Sequence, residues 1–411
     1  MGEQAADAAL ESPAQERSRQ QRRYARARPG LFAAGFATYG LLYCTQPLLP
    51  AFSESFGVSP AESALTLSLA TQSMAVCMLI AGALSESWGR RWMMIGSMGI
   101  AAIVTLLAAL LPGWHTLLAL RAVTGMALAG VPPVIAAYLT EEFAVIAPGA
   151  MGLLITGNST GGMVGRLLSG ALTDLFSWRA ALGGMSVLCM IGTFLVMLLP
   201  KSENFRRRDA SVSTSLRAFA AHLRDPVLLA LFGIGYLGIS CFIIFYNYVT
   251  YRLVAPPYSL SQAVMSGIFL IYLIGMVAAN SIGRLVTRYG RVKPLAFFGL
   301  ITLAGVPVSL IETLPTIILG QALVTFGFFG THTLCSAWVG LRGHKARAQA
   351  SAIYLFCFYT GFSFAGWAGG LAWTGAGWNG VALMMAAHVI AALFLVAALP
   401  RLERNRPLQA D

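Results

Sequence analysis

The sequence predicts an all-α membrane protein with twelve transmembrane helices in two pseudo-symmetric six-helix bundles. Three observations predict this fold class. Hydrophobic residues make up 57% of the 411 residues and charged residues 11%, against roughly a quarter charged in an average soluble domain. Apolar runs of about 20 residues, long enough to cross a hydrocarbon core, recur along the chain. A glycine-arginine motif occurs twice, about half a chain apart.

Each apolar run is interpreted as one crossing, because the runs are continuous and lack the alternating pattern of a membrane-barrel strand. The connections between them are short, so consecutive helices are expected to be antiparallel. In chain order the twelve spans cover residues 31–50, 61–84, 93–112, 115–139, 150–173, 180–199, 227–251, 261–283, 294–311, 315–341, 349–373 and 379–399.

An internal repeat predicts the two bundles. A period this long in an apolar chain is typical of parallel-repeat transporters. In the glycine-arginine motif, the matched positions are Gly82 with Gly283, Gly89 with Gly290, and Arg90 with Arg291. Elsewhere the register holds at an offset of 200, for Ser59 and Ser259, Gly130 and Gly330, Gly161 and Gly361, Gly170 and Gly370, and Trp178 and Trp378.

The longest polar interruption falls near the centre of the chain and is predicted to link the bundles. It contains Arg206, Arg207 and Arg208, and apolar residues at helical spacing predict a short interfacial helix over 216–224. The stretch before the first span is predicted to be solvated and largely disordered. The predicted domains are a basic tail (1–29), the first bundle (30–200), the linker (201–226), the second bundle (227–400) and a C-terminal tail (401–411).

The distribution of positive charge predicts the orientation. Of the 28 Lys and Arg residues, 24 fall in the tails and in alternate loops, on one side of the predicted spans. By the positive-inside rule that side is cytoplasmic, and both termini lie there. The net charge of +12 then reflects topology and attraction to membrane lipids, so nucleic acid is not expected as a partner.

No enzyme chemistry is visible in the sequence. There is no phosphate-binding loop, no His-Glu-x-x-His motif and no nucleophile with a partnering base. The six cysteines lie inside apolar spans without paired spacing, so neither a disulfide framework nor a metal site is expected. We therefore expect no enzyme activity and no cofactor, and an ion gradient or the substrate gradient as the source of energy.

The glycine-arginine motif resembles the loop motif of the major facilitator superfamily, which runs Gly-x-Leu-(Ala/Ser)-Asp-Arg-x-Gly-Arg-(Arg/Lys). Two positions depart from it, since Glu86 replaces Asp and Ser87 replaces Arg. With the twelve spans in two halves, the resemblance covers the chain from about residue 30. The matching residues are Gly82, Leu84, Ser85, Gly89, Arg90 and Arg91.

A second motif narrows the resemblance. Residues 157–162 are similar to the Gly-Pro-x-x-Gly-Gly antiporter motif of drug-proton exporters through Gly157, Gly161 and Gly162, with Asn158 in the proline position. Residues 43–47, 161–166 and 178–179 are most similar to the bacterial YnfM-type group, which is placed among drug-proton antiporter-like permeases. The resemblance implies a multi-pass protein of the bacterial inner membrane that uses protons as its coupling ion.

The loop motif is expected to form a latch between the two halves at the cytoplasmic side. Glycines allow tight turns, Glu86 can accept hydrogen bonds, and Arg90 and Arg91 are expected to face anionic lipid. Because Thr287 stands where Glu86 does in the other copy, an acid-mediated latch would be asymmetric. The alternative is an ordinary basic loop that only sets topology.

The fifth span carries two stripes of residues. Gly157, Gly161, Gly165, Ser169 and Thr173 recur every fourth residue and predict a face where another helix approaches closely. The neighbouring stripe is Asn158, Gly162, Arg166, Gly170 and Asp174, and Asn158 is a candidate substrate-binding residue. A packing face alone does not account for an arginine in this second stripe.

Arg121 and Arg166 are candidate substrate-binding residues, because a cation inside a span is costly and marks a functional site by default. Both lie roughly 10–12 Å from the outer end of their spans. Two structural alternatives stay open, an ion pair between Arg166 and Asp174, and bonds from Arg121 to backbone carbonyls.

His332, in the middle of the tenth span, is a candidate for proton coupling and substrate binding, because imidazole titrates near neutral pH. Asp174 is a second candidate for proton coupling. A histidine bonded once across helices is the structural alternative. Tyr39, Tyr43 and Gln46 share a face of the first span, and the family resemblance implies that this span, like the seventh with Asn247, lines the cavity.

No Asp or Glu lies in the middle of any span, which predicts a neutral or partly anionic substrate. The sequence therefore favours a proton-coupled exporter of small organic molecules, expected to be a monomer, that works by alternating access. A facilitator or importer of sugars or organic acids, a lipid-flippase-like protein and a sensor with a transporter fold are the alternatives.

Overall fold

The computed structural model describes residues 13–143, 147–202 and 212–406, and the regular elements in those ranges are all helices. Residues up to 202 are called the first half, and those from 212 onward the second half. A short 3₁₀ turn, Gln46–Leu48, follows the first helix. The helices of the first half are α1 (Pro13–Tyr43), α2 (Leu49–Phe56), α3 (Pro60–Trp88), α4 (Arg90–Leu110), α5 (Trp114–Leu128), α6 (Pro132–Glu142), α7 (Ala147–Leu175) and α8 (Trp178–Val196).

The second half begins with a short helix where the interfacial helix was predicted. The helices are α9 (Val212–His222), α10 (Pro226–Val254), α11 (Gln262–Ser266), α12 (Tyr272–Tyr289), α13 (Val292–Val308), α14 (Leu314–Arg342) and α15 (Arg347–Asn405). A 3₁₀ segment, Gly267–Ile271, joins α11, which is five residues long, to α12. Non-helical backbone at Ala376 and Gly377 divides α15 into two parts, each containing one predicted span.

Eight helical segments in the described ranges are long and apolar enough to cross a membrane. Three helices that contain predicted spans are not among them, for reasons visible in their sequences. α1 begins among charged residues, α7 is rich in glycine, and α13 is only 17 residues long. The chain is thus a multi-pass membrane protein with an all-helical fold.

The N-terminal stretch is more ordered than predicted. Instead of a disordered tail up to residue 29, α1 is helical from Pro13. Arg23 forms an ion pair with Glu142 at 3.0 Å, and the ring of Tyr24 packs edge-on against Phe143 at 6.0 Å. These contacts hold the N-terminal stretch against the end of α6. The sequence alone does not reveal them, because the partners lie far apart along the chain.

Local sequence explains where the helices begin and break. Ser59 and Glu62 form a capping box ahead of α3. The fourth predicted span is broken between α5 and α6, because Pro132 and Pro133 cannot continue the helix before them. Gly89 and Gly290 stand at matched turns between α3 and α4 and between α12 and α13, with φ of 86° and 74°. That left-handed region favours glycine, so the repeated glycine has a backbone reason.

The helices pack in matching pairs in the two halves. In the first half α1 packs on α7, α3 on α5, and α4 on α8; in the second, α10 packs on α15, α12 on α14, and α13 on α14 and α15. A Cβ at Gly161 would lie 2.5 Å from Phe36 Cα in α1, and one at Gly361 would lie 2.5 Å from the Tyr236 carbonyl in α10. The matched glycines therefore allow the same close approach in each half.

Other matched positions also make equivalent contacts. Trp178 and Trp378 each donate an indole N–H to a serine, at 3.1 and 3.2 Å. Gly170 lies against α11 of the second half, and Gly370 lies against the start of α3 in the first. The pair Ser59 and Ser259 does not match, because Ser59 caps α3 whereas α11 is capped by Ser261.

The two ends of the molecule differ in charge. We call the end with Arg90, Arg291 and Arg342 the basic end, and the opposite end, with α2 and α11, the far end. At the far end the halves are joined by a hydrogen bond of 2.8 Å between Ser53 and Tyr251. Further bonds run between the halves from Ser68 and Thr71 in α3 to Ser363 in α15. The far end is thus closed.

Candidate functional site

A cavity of roughly 360 Å³ lies between the halves. Of the predicted substrate-binding residues, five line it: Tyr39, Tyr43, Asn158, Arg166 and His332. Its other lining residues include the polar side chains Thr156, Ser159 and Thr160 and the aromatic side chains Phe242, Tyr272, Phe328, Phe329, Phe358, Tyr359 and Phe362. No acidic residue is among the lining residues that the structure describes.

Arg166 supplies the positive charge of the cavity. Its side chain is 2% exposed, and it donates from Nε to Gln46 Oε1 and from Nη1 to the Gly162 carbonyl, both at 2.6 Å. The guanidinium carbon lies 4.3 Å from the ring centroid of Tyr43 and 4.9 Å from that of Tyr272. These rings hold a cation by cation–π attraction, but they do not neutralise it.

Gln46 and Asn247 were predicted to bind substrate, but they are not among the lining residues. They lie next to Arg166 on the side of the far end, in a layer that we call the ceiling. Gln46 Nε2 donates to Asn247 Oδ1 at 2.9 Å. The hydrogen bonds that connect Arg166 to Gln46 and Gln46 to Asn247 therefore link one half to the other. Two buried polar atoms in or next to this layer, Asn247 Nδ2 and Thr45 Oγ1, have no hydrogen-bond partner in the described part of the chain.

His332 lies on the wall that the second half contributes. Tyr354 Oη is 2.9 Å from its Nδ1, and the ring of Phe358 is 4.6 Å from the imidazole ring. No charged side chain is recorded against it in the described ranges. The tyrosine fixes the ring through Nδ1 and leaves Nε2 for a proton or a substrate.

Sequence reasoning missed the aromatic wall of the second half. The rings of Phe242 and Phe328 stack at 4.2 Å, and Phe328 packs edge-on against Phe329 at 5.4 Å. A signal did exist in α15, where Tyr354, Phe358 and Phe362 recur every fourth residue and form one aromatic face.

Arg121 does not line the cavity, although it was predicted to bind substrate. Its side chain is fully buried, and its three nitrogens donate to backbone carbonyls of Thr66 at 3.1 Å, Leu41 at 3.2 Å and Leu42 at 2.8 Å. The structural alternative of carbonyl bonds is therefore the arrangement found. Arg121 ties α5 to the ends of α1 and α3.

We expect Arg121→Gln to lower the stability of the protein without changing substrate affinity. At least two carbonyls lose their donor, and each buried unsatisfied group costs about 1–3 kcal/mol. Thermal melting of the purified protein in detergent measures the loss, with Arg179→Gln, an exposed arginine beyond the cavity, as the matched control. Unchanged melting together with weakened substrate binding would show that Arg121 belongs to the site.

Asp174 lies at the far end and does not reach Arg166. Its carboxylate accepts from the backbone N–H of Gln262 at 2.9 Å and of Ala263 at 2.8 Å, in the other half. The alternative of an Arg166–Asp174 ion pair is thus not the arrangement found. Asp174 contributes to far-end closure by capping α11.

The small-residue stripe of α7 packs as predicted, against α1. A Cβ at Gly165 would lie 2.8 Å from Gly40, and Gly157 and Gly161 approach the backbone of Phe32 and Phe36. Of the second stripe, Asn158, Gly162 and Arg166 line the cavity, whereas Gly170 packs against α11.

The contacts described for the arginines of the loop motif lie within single halves, and the latch through Glu86 stays a prediction. Arg90 is buried rather than lipid-facing, and it forms an ion pair of 2.9 Å with Glu141 of the same half. Arg91 donates to the Met197 carbonyl. In the second copy, Arg291 lies over the ring of Trp338 at 5.6 Å, and Gly283 has open space around it. Gly82 and the side chain of Glu86, which belong to the predicted latch, lie outside what the structure describes.

Comparison with known proteins gives consistent matches. Residues 31–342 match the family described as the Major Facilitator Superfamily. The chain is 43% identical over 375 residues to the uncharacterized MFS-type transporter YybF of Bacillus subtilis (strain 168), covering 90% of this chain and 92% of the relative. It is 38% identical over 376 residues to the inner membrane transport protein YnfM of Escherichia coli (strain K12), covering 90% and 89%.

The fold also matches a solved structure. A mutant of the nucleoside transporter NupG superposes with a TM-score of 0.76 over 91% of this chain and 99% of that chain, at 16% sequence identity. This likeness concerns the fold alone.

Proposed function

The chain belongs to the major facilitator superfamily, and on that premise we propose that it is a proton-coupled secondary transporter that exports small organic molecules by alternating access. It is a membrane transporter and not an enzyme. Both its termini are proposed to be cytoplasmic, which places the basic end inside the cell and the far end outside.

We propose twelve crossings in two six-helix bundles, with residues 30–200 and 227–400 as the bundles. The proposal counts the two parts of α15 separately, joins α5 to α6, and includes α1, α7 and α13. Support comes from the matched contacts, since Gly161 and Gly361 allow the same close approach within each half, and Gly170 and Gly370 allow it between the halves. A repeat that reproduces both kinds of contact is expected if each half is one folding unit.

The observation that carries the function is a cavity between the halves, closed at the far end and lined by one buried cation and many aromatic rings. A central site closed on one side is what alternating access requires of one of its states. With the far end outside, this state faces the cytoplasm, where an exporter loads its substrate. The similarity of residues 157–162 to an antiporter motif favours export over import.

Within this proposal His332 couples the proton. We expect His332→Gln to reduce flux driven by a pH gradient by about ten-fold or more, while exchange of substrate between equal pools continues, because the glutamine keeps a polar group at the cavity wall. The matched control is His388→Gln, whose Nδ1 lies 2.7 Å from the Met384 carbonyl in its own helix.

The test is flux in proteoliposomes with an imposed pH gradient and a panel of neutral, anionic and cationic dyes. The proposal is supported if the gradient accelerates the flux of at least one dye in the parent protein, if His332→Gln loses this acceleration and if His388→Gln keeps it. A parent that moves dyes at the same rate with and without the gradient would instead be a facilitator.

A further inference from the structure

We propose that the cavity takes planar aromatic monoanions, with an aromatic monocarboxylate as the simplest case. The inference rests on the proposed function, because it names the class of solute that the transport site selects. It is argued below from the charge, the free donors and the ring geometry of the cavity.

The charge of the cavity calls for an anion. Arg166 is buried, and the described residues that line the cavity include no acid to balance it. The nearest candidate along its helix, Asp174, is committed to the backbone N–H groups of Gln262 and Ala263. A buried cation without a counter-ion is costly, and an anionic solute bound beside it removes that cost.

The donors of Arg166 favour a planar oxyanion. A guanidinium has five N–H groups, and two bonds to protein acceptors are recorded in the described part of the chain, from Nε and Nη1. Nη2 therefore has no protein acceptor there, and together with the second N–H of Nη1 it forms one edge of the planar fork. That edge can donate two parallel bonds to a carboxylate.

The walls favour an aromatic body. The stacked pair of Phe242 and Phe328, with ring centroids 4.2 Å apart, and the ring of Phe358 next to His332 form one side. On the other side, Tyr43 packs against Phe362 at 5.7 Å. Aromatic rings pack best against other rings, edge-on or offset. A cavity of roughly 360 Å³ lies at the small end of the range of ligand pockets, which suits one or two fused rings.

The same features reject other solutes. A dianion brings a second charge that finds no second permanent cation among the described lining residues, because His332 is charged only while it carries the proton. An organic cation is repelled by Arg166. Tyr39 and Tyr359, whose hydroxyls are 3.4 Å apart, offer neutral hydrogen bonds to substituents of the ring.

Calorimetric titration of the full-length protein in detergent tests the inference with naphthoate and four analogues. Naphthamide removes the charge, naphthalene dicarboxylate doubles it, naphthylmethylammonium reverses it, and cyclohexanecarboxylate removes the aromatic ring. We expect naphthoate to bind at least about ten-fold more tightly than naphthamide and naphthylmethylammonium, because a lost charge-assisted bond costs at least that factor. It should also bind more tightly than cyclohexanecarboxylate, which loses the ring contacts, and than the dicarboxylate, whose second charge must be buried. Arg166→Gln should abolish the preference for naphthoate over naphthamide.

Two further variants keep the test decisive. Arg179→Gln, which removes an exposed arginine lying 4.3 Å over the Trp178 ring, should keep the preference. Arg166→Lys retains the charge without the fork, so we expect a reduced preference, and it stands in if Arg166→Gln does not fold. A parent that binds naphthamide or the ammonium analogue as well as naphthoate overturns the inference, as does an Arg166 variant with an unchanged preference.

The two proposals fail differently. If the gradient drives flux of neutral or cationic dyes and naphthoate shows no preferential binding, the substrate class is wrong and the proposed function stands. If naphthoate binds with the expected preference but the gradient drives no flux, the proton-coupled function is wrong and the substrate class stands.

Discussion

Gly370→Ala is expected to abolish most transport while leaving both halves folded. A Cβ at Gly370 would lie 2.5 Å from the backbone nitrogen of Ala61 and 2.6 Å from its Cβ. Backbone cannot move aside as a flexible side chain can, and Ala61 belongs to the other half, so the clash is relieved only if the halves separate at the far end. Overpacking of this kind costs about 1–3 kcal/mol, which shifts the equilibrium away from the closed far end by roughly 5- to 150-fold.

The matched control is Gly375→Ala, in the same helix, where an added Cβ has open space. Transport in proteoliposomes should fall only in Gly370→Ala. Labelling reports the state: Thr45→Cys, buried in the closed ceiling, should react with an impermeant maleimide from the far side in the Gly370→Ala background and not in the parent. Equal labelling in both backgrounds, with transport intact, would contradict the assignment of this contact to far-end closure.

Gly161→Val is expected to damage folding itself. A Cβ there would lie 2.5 Å from Phe36 Cα, and valine adds two further carbons at the tightest crossing of α1 and α7. Both helices belong to the same half, so no movement between the halves relieves the clash. We expect the melting temperature to fall by about 5 °C or more, together with a lower yield of monodisperse protein.

Gly152→Val lies on the same helix with open space around its added Cβ, and it should behave like the parent in size-exclusion chromatography and thermal melting. Replacing glycine by valine changes helix propensity equally at both positions, so the difference between the two variants isolates the packing contact. Similar melting temperatures for the two variants would remove close packing as the reason for the glycine stripe.

Periodicity and charge in the sequence predicted the first-half side of the cavity. Tyr39 and Tyr43 share a face of α1, and Arg166 stands out because a packing stripe does not need a cation. The aromatic wall of the second half escaped notice because phenylalanine in an apolar span is equally expected in a core or against lipid. Only the tertiary structure brings Phe242 next to Phe328.

The two buried arginines show most clearly what cannot be predicted from the sequence alone. Arg121 and Arg166 lie at a similar depth in neighbouring spans, yet one donates to three backbone carbonyls and the other faces the cavity. The choice depends on which carbonyls lie within reach in three dimensions. Likewise, Arg90 was expected to face lipid, because the sequence does not show that it pairs with Glu141, which is 51 residues away along the chain.

The ceiling over the cavity has a further consequence for how the far end opens. Asn247 Nδ2 and Thr45 Oγ1 have no protein partner within the described structure when that end is shut, and a buried polar group left unpaired costs about 1–3 kcal/mol. Opening of the far end exposes both atoms to water and removes that cost. Hydration then favours opening, whereas packing and the hydrogen bonds between the halves, such as that between Ser53 and Tyr251, hold the shut form.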